Sequence, residues 1–291
     1  MGLAVSAPGW LLVIAIWIAA WAFNVWLARL PLAAGWAARA LDLAVPAVFG
    51  LTLLFLWQMI VRGFSVPAVL LPAPYDIAAK FAGSVPTLWA DFVQTVIRAV
   101  IPGWVIGNLA GFLTAIVCDR VPFLRRGLLP LGNFVAALPV VGIAPIMVMW
   151  FNAGPASKIA VVVIMTFFPM LVNTLAGLAT AGHIERDLMR SYGASPMETL
   201  RKLRLPVALP FIFNGLKITS TLAMIGAIVA EFFGSPIVGM GFRISTEVGR
   251  LALDMVWAEI AVAALAGSAF YGLISLIERA ATFRHPSFRA R

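Results

Sequence analysis

Charged residues are scarce in this sequence, and hydrophobic residues dominate it. Of the 291 residues, 11% are charged and 62% are hydrophobic, and the mean hydropathy is +1.00. Soluble domains carry about 25% charged residues, and a soluble fold of this length could not bury so much apolar surface. The composition therefore excludes an ordinary soluble protein and places the apolar excess against lipid.

Ligands for metal ions and nucleotides are also scarce. The single cysteine, Cys118, excludes an intrachain disulfide and argues against a cysteine metal site. His183 and His285 are isolated from each other and from any Glu-x-x-His pattern, so we expect no metal ion and no other cofactor in this chain. No lysine follows a glycine, so the Gly-Lys-Ser/Thr loop that cradles nucleotide phosphates is missing. The chain cannot supply an ATPase of that type.

Long apolar runs make up most of the chain. Their length of about 20 residues selects helices over the shorter, alternating strands of a barrel. We therefore predict an all-α polytopic membrane helix bundle with about seven transmembrane helices. The seven candidate spans lie near 10–28, 43–61, 93–117, 128–151, 157–179, 211–230 and 256–277.

Lysine and arginine are concentrated on one side of the predicted bundle. With the N-terminus outside, the inside segments include the loop 181–210 and the tail 281–291, and they hold most of these residues. The positive-inside rule then places both segments in the cytoplasm. This topology explains the net charge of +9 and leaves little support for a nucleic-acid partner.

Two spans carry features of helix packing. Small residues recur at every fourth position of the third span and predict a face that another helix approaches closely. They are Gly103, Gly107, Gly111 and Ala115. Pro139 and Pro145 lie inside the fourth span, where each removes a backbone hydrogen bond. Because broken helices in membranes usually line a cavity or a protein interface, we predict that this span lines the pore.

The segment 181–210 is the most polar stretch between two spans. Ser195, Pro196 and Glu198 occupy the N-cap, N1 and N3 positions of a capping box. Gly193 precedes them, at a point where a helix would end and positive φ is favoured. The pattern predicts a helix, a turn and a second helix that together form a compact, rigid projection.

The same segment resembles the cytoplasmic signature of binding-protein-dependent ABC importer permeases of the type I fold. That signature reads Glu-Ala-Ala, three residues, Gly, nine residues, an aliphatic residue, any residue, and Leu-Pro. The corresponding residues here are Asp187, Leu188, Met189, Gly193, Leu203, Leu205 and Pro206. The first half of the signature is therefore degenerate, whereas the glycine and Leu-Pro half is intact.

Resemblance to the nitrate, sulfonate and taurine branch of these permeases extends over roughly 68–280. The stretches that carry it are LLPAPYDI at 70–77, ALPVVGIAPIMVMWFNAG at 137–154, FFPMLVNTLAGL at 167–178 and IVAEFFGSPIVGMGF at 228–242. Asn152 departs from the glycine that closes the Trp-Phe-Gly pattern of the branch. The helix at 10–28 looks additional to the usual six, and we expect it at the periphery, away from the pore.

The resemblance implies N-terminal helices over 1–66, a permease domain over 67–280 and a cytoplasmic tail over 281–291. It also implies a homodimer in the bacterial inner membrane, with two ATP-binding subunits and an extracytoplasmic binding protein as partners. The partner ATPase would bind ATP and Mg²⁺. The residues implied in coupling to it are Asp187, Gly193, Ala194, Ser195, Glu198, Leu203, Leu205 and Pro206.

The substrate path is indicated less specifically by the sequence than the coupling loop is. Glu231 ends a long apolar run and precedes several glycines, so we hypothesise an outer gate over 231–243; a solvated helix end or a structural salt bridge would explain this residue equally well. Arg98 could attract an anion, but an arginine near a helix end more often reaches to the membrane interface. The predicted path or gate residues are Pro139, Pro145, Asn173, Glu231 and Met240.

An ion-coupled secondary transporter is the main alternative, and a membrane enzyme is a third. The spans lack the row of charged residues that proton relays use, and no Ser, His and Asp set or carboxylate pair is visible. We therefore predict an ATP-driven importer permease that works by alternating access. The resemblance leaves the substrate open among small anions such as sulfonates, taurine and nitrate, and heterocycles such as pyrimidine precursors and riboflavin.

Overall fold

Helices account for nearly all of the structure, a computed structural model that describes residues 7–30, 36–136, 138–234 and 237–282. The α-helices are α1 (Ala7–Ala28), α2 (Trp36–Gly63), α3 (Pro74–Gly83), α4 (Val85–Phe92), α5 (Ile101–Arg120), α6 (Pro122–Ala136), α7 (Val140–Phe151), α8 (Pro155–Ala179), α9 (His183–Ser191), α10 (Pro196–Thr199), α11 (Leu205–Phe233), α12 (Met240–Gly249) and α13 (Leu253–Thr282). Two π-helical segments, Val93–Val100 and Leu200–Arg204, join α4 to α5 and α10 to α11. No strand occurs among these residues, and the predicted all-α class is confirmed.

Six helical stretches among the described residues are long and apolar enough to cross a membrane. They are Gly9–Ala28, Ala40–Gly63, Val85–Arg120, Pro155–Ala179, Pro196–Phe233 and Leu253–Thr282. Each of them contains or coincides with one of the predicted spans. The long continuous helices arise because the π-helical segments extend α4 into α5 and α10 into α11 without a break.

The remaining predicted span, 128–151, is two helices rather than one. α6 ends at Ala136, and α7 begins at Val140 and is only 12 residues long. Pro139 precedes α7 in an extended conformation, with φ −67° and ψ 124°. A proline ring disfavours helical geometry in the residue before it, so this proline separates two helices instead of kinking one. Pro145 lies inside α7.

The first of two compact units comprises Met1–Val85 and Glu247–Ala258. Within it α1 packs beside α2, and Trp57 meets Trp257 edge to face with ring centroids 4.9 Å apart. Few side chains of α1 and α2 are buried. Their exposed aliphatic and aromatic side chains are those of helices that face lipid.

The second unit comprises Pro86–Thr246 and Glu259–Arg291 and is organised around α8. α8 packs most extensively against α5 and α11. An added Cβ at Gly103 would lie 2.6 Å from the Cβ of Val162 on α8, and the same atom at Gly107 would collide with Thr166. The predicted small-residue face of α5 is therefore confirmed, since only residues without a larger side chain permit this approach.

Candidate functional site

A tight turn closes the first helix of the 181–210 loop. Gly193 follows α9 with φ +71°, the conformation that favours glycine. Its amide donates to the Arg190 carbonyl at 2.8 Å, and the Ala194 amide donates to the Met189 carbonyl at 3.0 Å. These two bonds form a Schellman motif, which satisfies carbonyls that the helix end leaves free. The predicted positive φ at Gly193 is confirmed.

A capping box starts the second helix of the loop. The Glu198 amide donates to Ser195 Oγ at 3.2 Å, and the Ser195 amide donates to Glu198 Oε2 at 2.9 Å. Lys202 lies one turn further on and pairs with Glu198 at 3.1 Å. The predicted capping box is confirmed, and it fixes the point at which the chain re-enters helical geometry.

Arg204 anchors the loop to the ends of two spanning helices. Its guanidinium forms a bidentate pair with Asp119 near the end of α5, at 2.6 and 2.7 Å. It also donates to the Leu178 carbonyl near the end of α8, at 2.9 and 3.2 Å. The Arg204 and Asp119 side chains are 17% and 12% exposed, so solvent screens this pair weakly.

The first helix of the loop also presents an apolar face. Ile184, Leu188 and Tyr192 recur at every fourth position, and their exposed fractions are 71%, 55% and 81%. Met197 at the start of α10 is exposed as well. Exposed apolar patches with a polar rim mark surfaces that bind another protein or a membrane. Sequence reasoning missed this face, although the four-residue spacing was the signal for it.

A buried polar cluster lies at the other end of α11, and we call it the Glu231 cluster. It contains Asp91, Thr95, Glu231, the turn 237–241 and Arg243. Glu231 is 2% exposed. Its carboxylate accepts from Thr95 Oγ1 at 2.9 Å and from the Gly241 amide at 2.8 Å.

The turn 237–241 is held by side chains of the same cluster. The Gly239 amide donates to Asp91 Oδ1 at 2.6 Å, and the Met240 amide donates to Thr95 Oγ1 at 2.8 Å. Arg243 Nε donates to Asp91 Oδ2 at 2.8 Å. Consecutive backbone amides of the turn therefore meet buried acceptors from other elements, which fixes its conformation.

Residues 107–283 match a known protein family, the binding-protein-dependent transport system inner membrane component. The chain belongs to this family. It is a multi-pass inner-membrane permease subunit of an ABC importer, a class of transporter that works with a binding protein and an ATPase. Membership supports the predicted function and gives no support to the ion-coupled secondary transporter.

Individual relatives cover most of this permease. A probable ABC transporter permease protein of Haemophilus influenzae is 32% identical over 210 residues, which are 72% of this chain and 85% of the relative. The riboflavin transport system permease protein RibX of Chloroflexus aurantiacus is 31% identical over 239 residues, 81% of this chain and 88% of the relative. The formylaminopyrimidine transport permease protein ThiX of Halalkalibacterium halodurans is 29% identical and covers 82% and 95% of the two chains.

The structure spreads the predicted coupling residues of the permease over the tip and the base of the loop. Asp187, Gly193 and Ser195 are exposed. The partly buried members are Ala194, Glu198, Leu203, Leu205 and Pro206. The tip is therefore free to meet a partner, while the base packs on the permease through the buried Leu200.

The predicted path or gate residues do not form one group. Glu231 and Met240 come together in the Glu231 cluster, but the Met240 side chain is fully buried among residues of the π-helical segment Val93–Val100, α8 and α11. Asn173 is half-buried on α8, and Asn214 Nδ2 of α11 donates to its Oδ1 at 3.1 Å. Residues 235 and 236 of the predicted gate, and the predicted tail from 283 onward, lie outside the described residues.

A cavity of about 270 Å³ adjoins the break between α6 and α7. Its lining includes Leu138 and Val140 at the break, Phe168 of α8 and Leu222 of α11. The break at Pro139 therefore opens an apolar space, as expected where a membrane helix is interrupted. Among the described residues, no three His, Cys, Asp or Glu side chains form a group that could hold a metal ion.

Proposed function

We propose that two copies of this permease form the membrane path of an importer that takes a small solute from an extracytoplasmic binding protein. Two separate ATP-binding subunits hydrolyse ATP with Mg²⁺ and drive the path between its two open states. The N-terminus lies outside, and the 181–210 loop and the tail 281–291 lie in the cytoplasm, as the distribution of lysine and arginine indicates. This chain itself brings no cofactor.

The apolar face of the 181–210 loop is the observation that supports coupling to an ATPase. A large tyrosine and two aliphatic side chains project from α9 and the turn after it, with exposed fractions of 55% to 81%. Such a face would be unfavourable in water and is stabilised when another protein covers it. Asp187, Gly193 and Ser195 are exposed on the same projection, and we assign them to the edge of the contact.

The loop is also built to transmit force. The Schellman turn and the capping box fix its shape. Leu203 lies in the π-helical segment that continues into α11, and Leu205 and Pro206 are the first two residues of α11. Arg204 adds connections to the ends of α5 and α8. A displacement imposed on the projection therefore reaches several spanning helices together, which is what a rigid-body change of access requires.

Polar side chains on an exposed face of α11 support a path between two copies. The exposed positions of this face are Phe211, Asn214, Ile218, Thr221 and Ile225. An amide such as Asn214 is unfavourable against lipid, so polar residues within membrane helices usually face a bundle interior or a water-filled cavity. We place Asn173 and Asn214 on the path and the helix break at Pro139, with Pro145, beside it.

The Glu231 cluster supports the proposal of a gate at the outer end of the path. We assign it to an outer gate in which the turn 237–241 is the moving part and Met240 is its buried anchor. The burial of Glu231 argues against a solvated helix end, and its hydrogen bonds to the turn tie the end of α11 to this segment.

Relatives of this permease carry several classes of small solute. Two of them are named for riboflavin and formylaminopyrimidine, and others are named for aliphatic sulfonates, taurine and bicarbonate. We infer that the substrate belongs to the same range, a small organic or inorganic anion or a heterocycle. In such systems the binding protein selects much of the cargo, and ligand retained by that protein through purification would identify it.

Co-purification with the ATP-binding subunit tests the coupling proposal. Leu188→Glu and Tyr192→Glu place a charge on the apolar face without touching the capping box or the Arg204 anchor, so we expect each variant to lose the bound ATPase. Leu70→Glu is the matched control, because Leu70 is 69% exposed on a segment at the opposite end of the predicted topology. Normal ATPase retention by both loop variants would refute the assignment.

A further inference from the structure

Glu259 on α13 is fully buried, and neither of its carboxyl oxygens receives a hydrogen bond from a described N–H or O–H group. Buried polar groups nearly always have a hydrogen-bond partner. An ionised carboxylate that is desolvated and unpaired is strongly destabilising. The side chain therefore needs a chemical explanation that the transport function does not supply.

A second carboxyl group lies beside that of Glu259 in the protein interior. It belongs to Asp91 of α4, which is also fully buried. Asp91 has donors of its own, the Gly239 amide at 2.6 Å and Arg243 Nε at 2.8 Å. Asp91 thus accepts two hydrogen bonds, whereas Glu259 accepts none from the described residues.

One cation, Arg243, lies in the field of both carboxyl groups of the pair. Arg243 of α12 pairs with Asp91. Glu231 of α11 accepts two kinds of donor and lies in the field of Lys158 of α8, whose ammonium group is buried against the Ala153 and Gly154 carbonyls. Arg243 is therefore the cation nearest to both Asp91 and Glu259, and its hydrogen bond goes to Asp91.

We propose that Glu259 carries a proton and donates it to Asp91, so that the two carboxyl groups form a proton-binding site beside the turn 237–241. Two buried carboxyl groups in contact hold one proton between them because two adjacent negative charges repel strongly. A protonated Glu259 becomes a donor, and the missing hydrogen bond is then made to an Asp91 oxygen. No other described group offers Glu259 a donor.

Proton occupancy is coupled to the turn through Asp91. Removal of the proton places a second negative charge beside Asp91 and draws Arg243 toward Glu259, which weakens the bonds that Asp91 makes to Gly239 and Arg243. The turn is therefore held most firmly when Glu259 is protonated, and it loosens as the pH rises. The role of the turn as a gate rests on the proposed function, but the protonation of Glu259 does not.

Infrared spectroscopy of the purified full-length permease in lipid nanodiscs tests the proton directly. At neutral pH the wild type should show the C=O stretching band of a buried, protonated carboxylic acid. Glu259→Gln keeps a donor for Asp91 and should lose this band. Glu278→Gln is the matched control on the same helix, because Glu278 forms an ion pair with Lys217 at 2.8 Å, and this variant should keep the band. A wild type without the band, or a Glu259→Gln variant that retains it, would overturn the proposal.

Melting temperature measured against pH tests the coupling. We expect the wild type to melt earlier as the pH is raised above neutral and Glu259→Gln to lose this dependence. Parallel curves for the two proteins would refute the coupling. A metal ion is the competing occupant, and a shift of the wild-type melting temperature on adding a chelator, absent from Glu259→Gln, would also overturn the proposal. Neither experiment uses a substrate or an ATPase, so its outcome is independent of the proposed function.

Discussion

Gly193→Val tests whether the turn of the 181–210 loop is needed for coupling. The φ of Gly193 is +71°, and a β-branched residue is a rare outlier in that region. A non-glycine residue held there is destabilised by about 1–3 kcal/mol. No heavy atom lies within 4 Å of an added Cβ, so the permease itself has room for the side chain. The intramolecular effect of the substitution is therefore conformational strain in the turn.

A graded series at this position distinguishes strain from contact. Asparagine tolerates left-handed geometry better than other residues that carry a Cβ, so strain alone predicts that Gly193→Asn is mild, Gly193→Ala intermediate and Gly193→Val severe. A partner surface packed against the turn predicts instead that all three variants fail, because each fills space next to the ATPase. Both outcomes require the loop to act in coupling.

The assay for this series is reconstituted transport. Uptake and the stimulation of ATP hydrolysis by loaded binding protein are measured in proteoliposomes that contain the complete transporter. The spanning helices are untouched, so insertion and dimer formation should be normal in every variant. We expect Gly193→Val to lose uptake, with either the ATPase lost or its hydrolysis no longer responsive to binding protein. Normal uptake together with normal stimulation would refute the assignment of this loop.

Three further experiments test other parts of the structure. Arg204→Gln and Asp119→Asn, made singly and together, should show a coupling energy of about 1.5–3 kcal/mol in thermal unfolding, since charged hydrogen bonds contribute that much. Additive effects of the two substitutions would contradict the role of this ion pair in anchoring the loop. Gly107→Leu should overpack the α5–α8 contact, lower the stability of the fold by about 1–3 kcal/mol or more and reduce the yield of monodisperse protein. Gly50→Leu is the control and should do neither, because no atom lies within 4 Å of an added Cβ there. Glu231→Gln should alter uptake while assembly remains normal, and unchanged uptake would remove the cluster from the gate.

Local rules account for what the sequence predicted correctly. The capping box at Ser195 and the positive φ at Gly193 depend on residues within one helical turn, so their pattern is visible in the sequence. The glycine face of α5 is visible because helical periodicity is fixed. The spanning helices are visible as long apolar runs, which are also a local feature of the sequence. Pro139 is a predicted disruption of its helix, and its effect in the structure is a full break.

Contacts between distant residues account for what the sequence did not show. Arg204 and Asp119 are 85 positions apart. Each is a charged residue at the end of a span, and its neighbours in the sequence do not indicate its partner. Asp91 and Glu259 lie still further apart along the chain, so nothing in either neighbourhood marks them as a pair. Assignment of roles to Asn173, Met240 and Glu231 likewise needs the tertiary packing, because a polar or soft side chain in a span can face either a core or a path.

The π-helical segment Leu200–Arg204 determines the direction in which each following side chain of α11 points around the helix axis. A π turn accommodates one more residue than an α turn, and each residue of a helix turns the side-chain direction by about 100°. Deleting a single residue here would restore ordinary helical winding and swing Asn214 away from the exposed face of α11. A one-residue deletion at this point should therefore impair transport more than most point substitutions do. Any natural sequence that carries such a deletion should show a compensating insertion before Asn214.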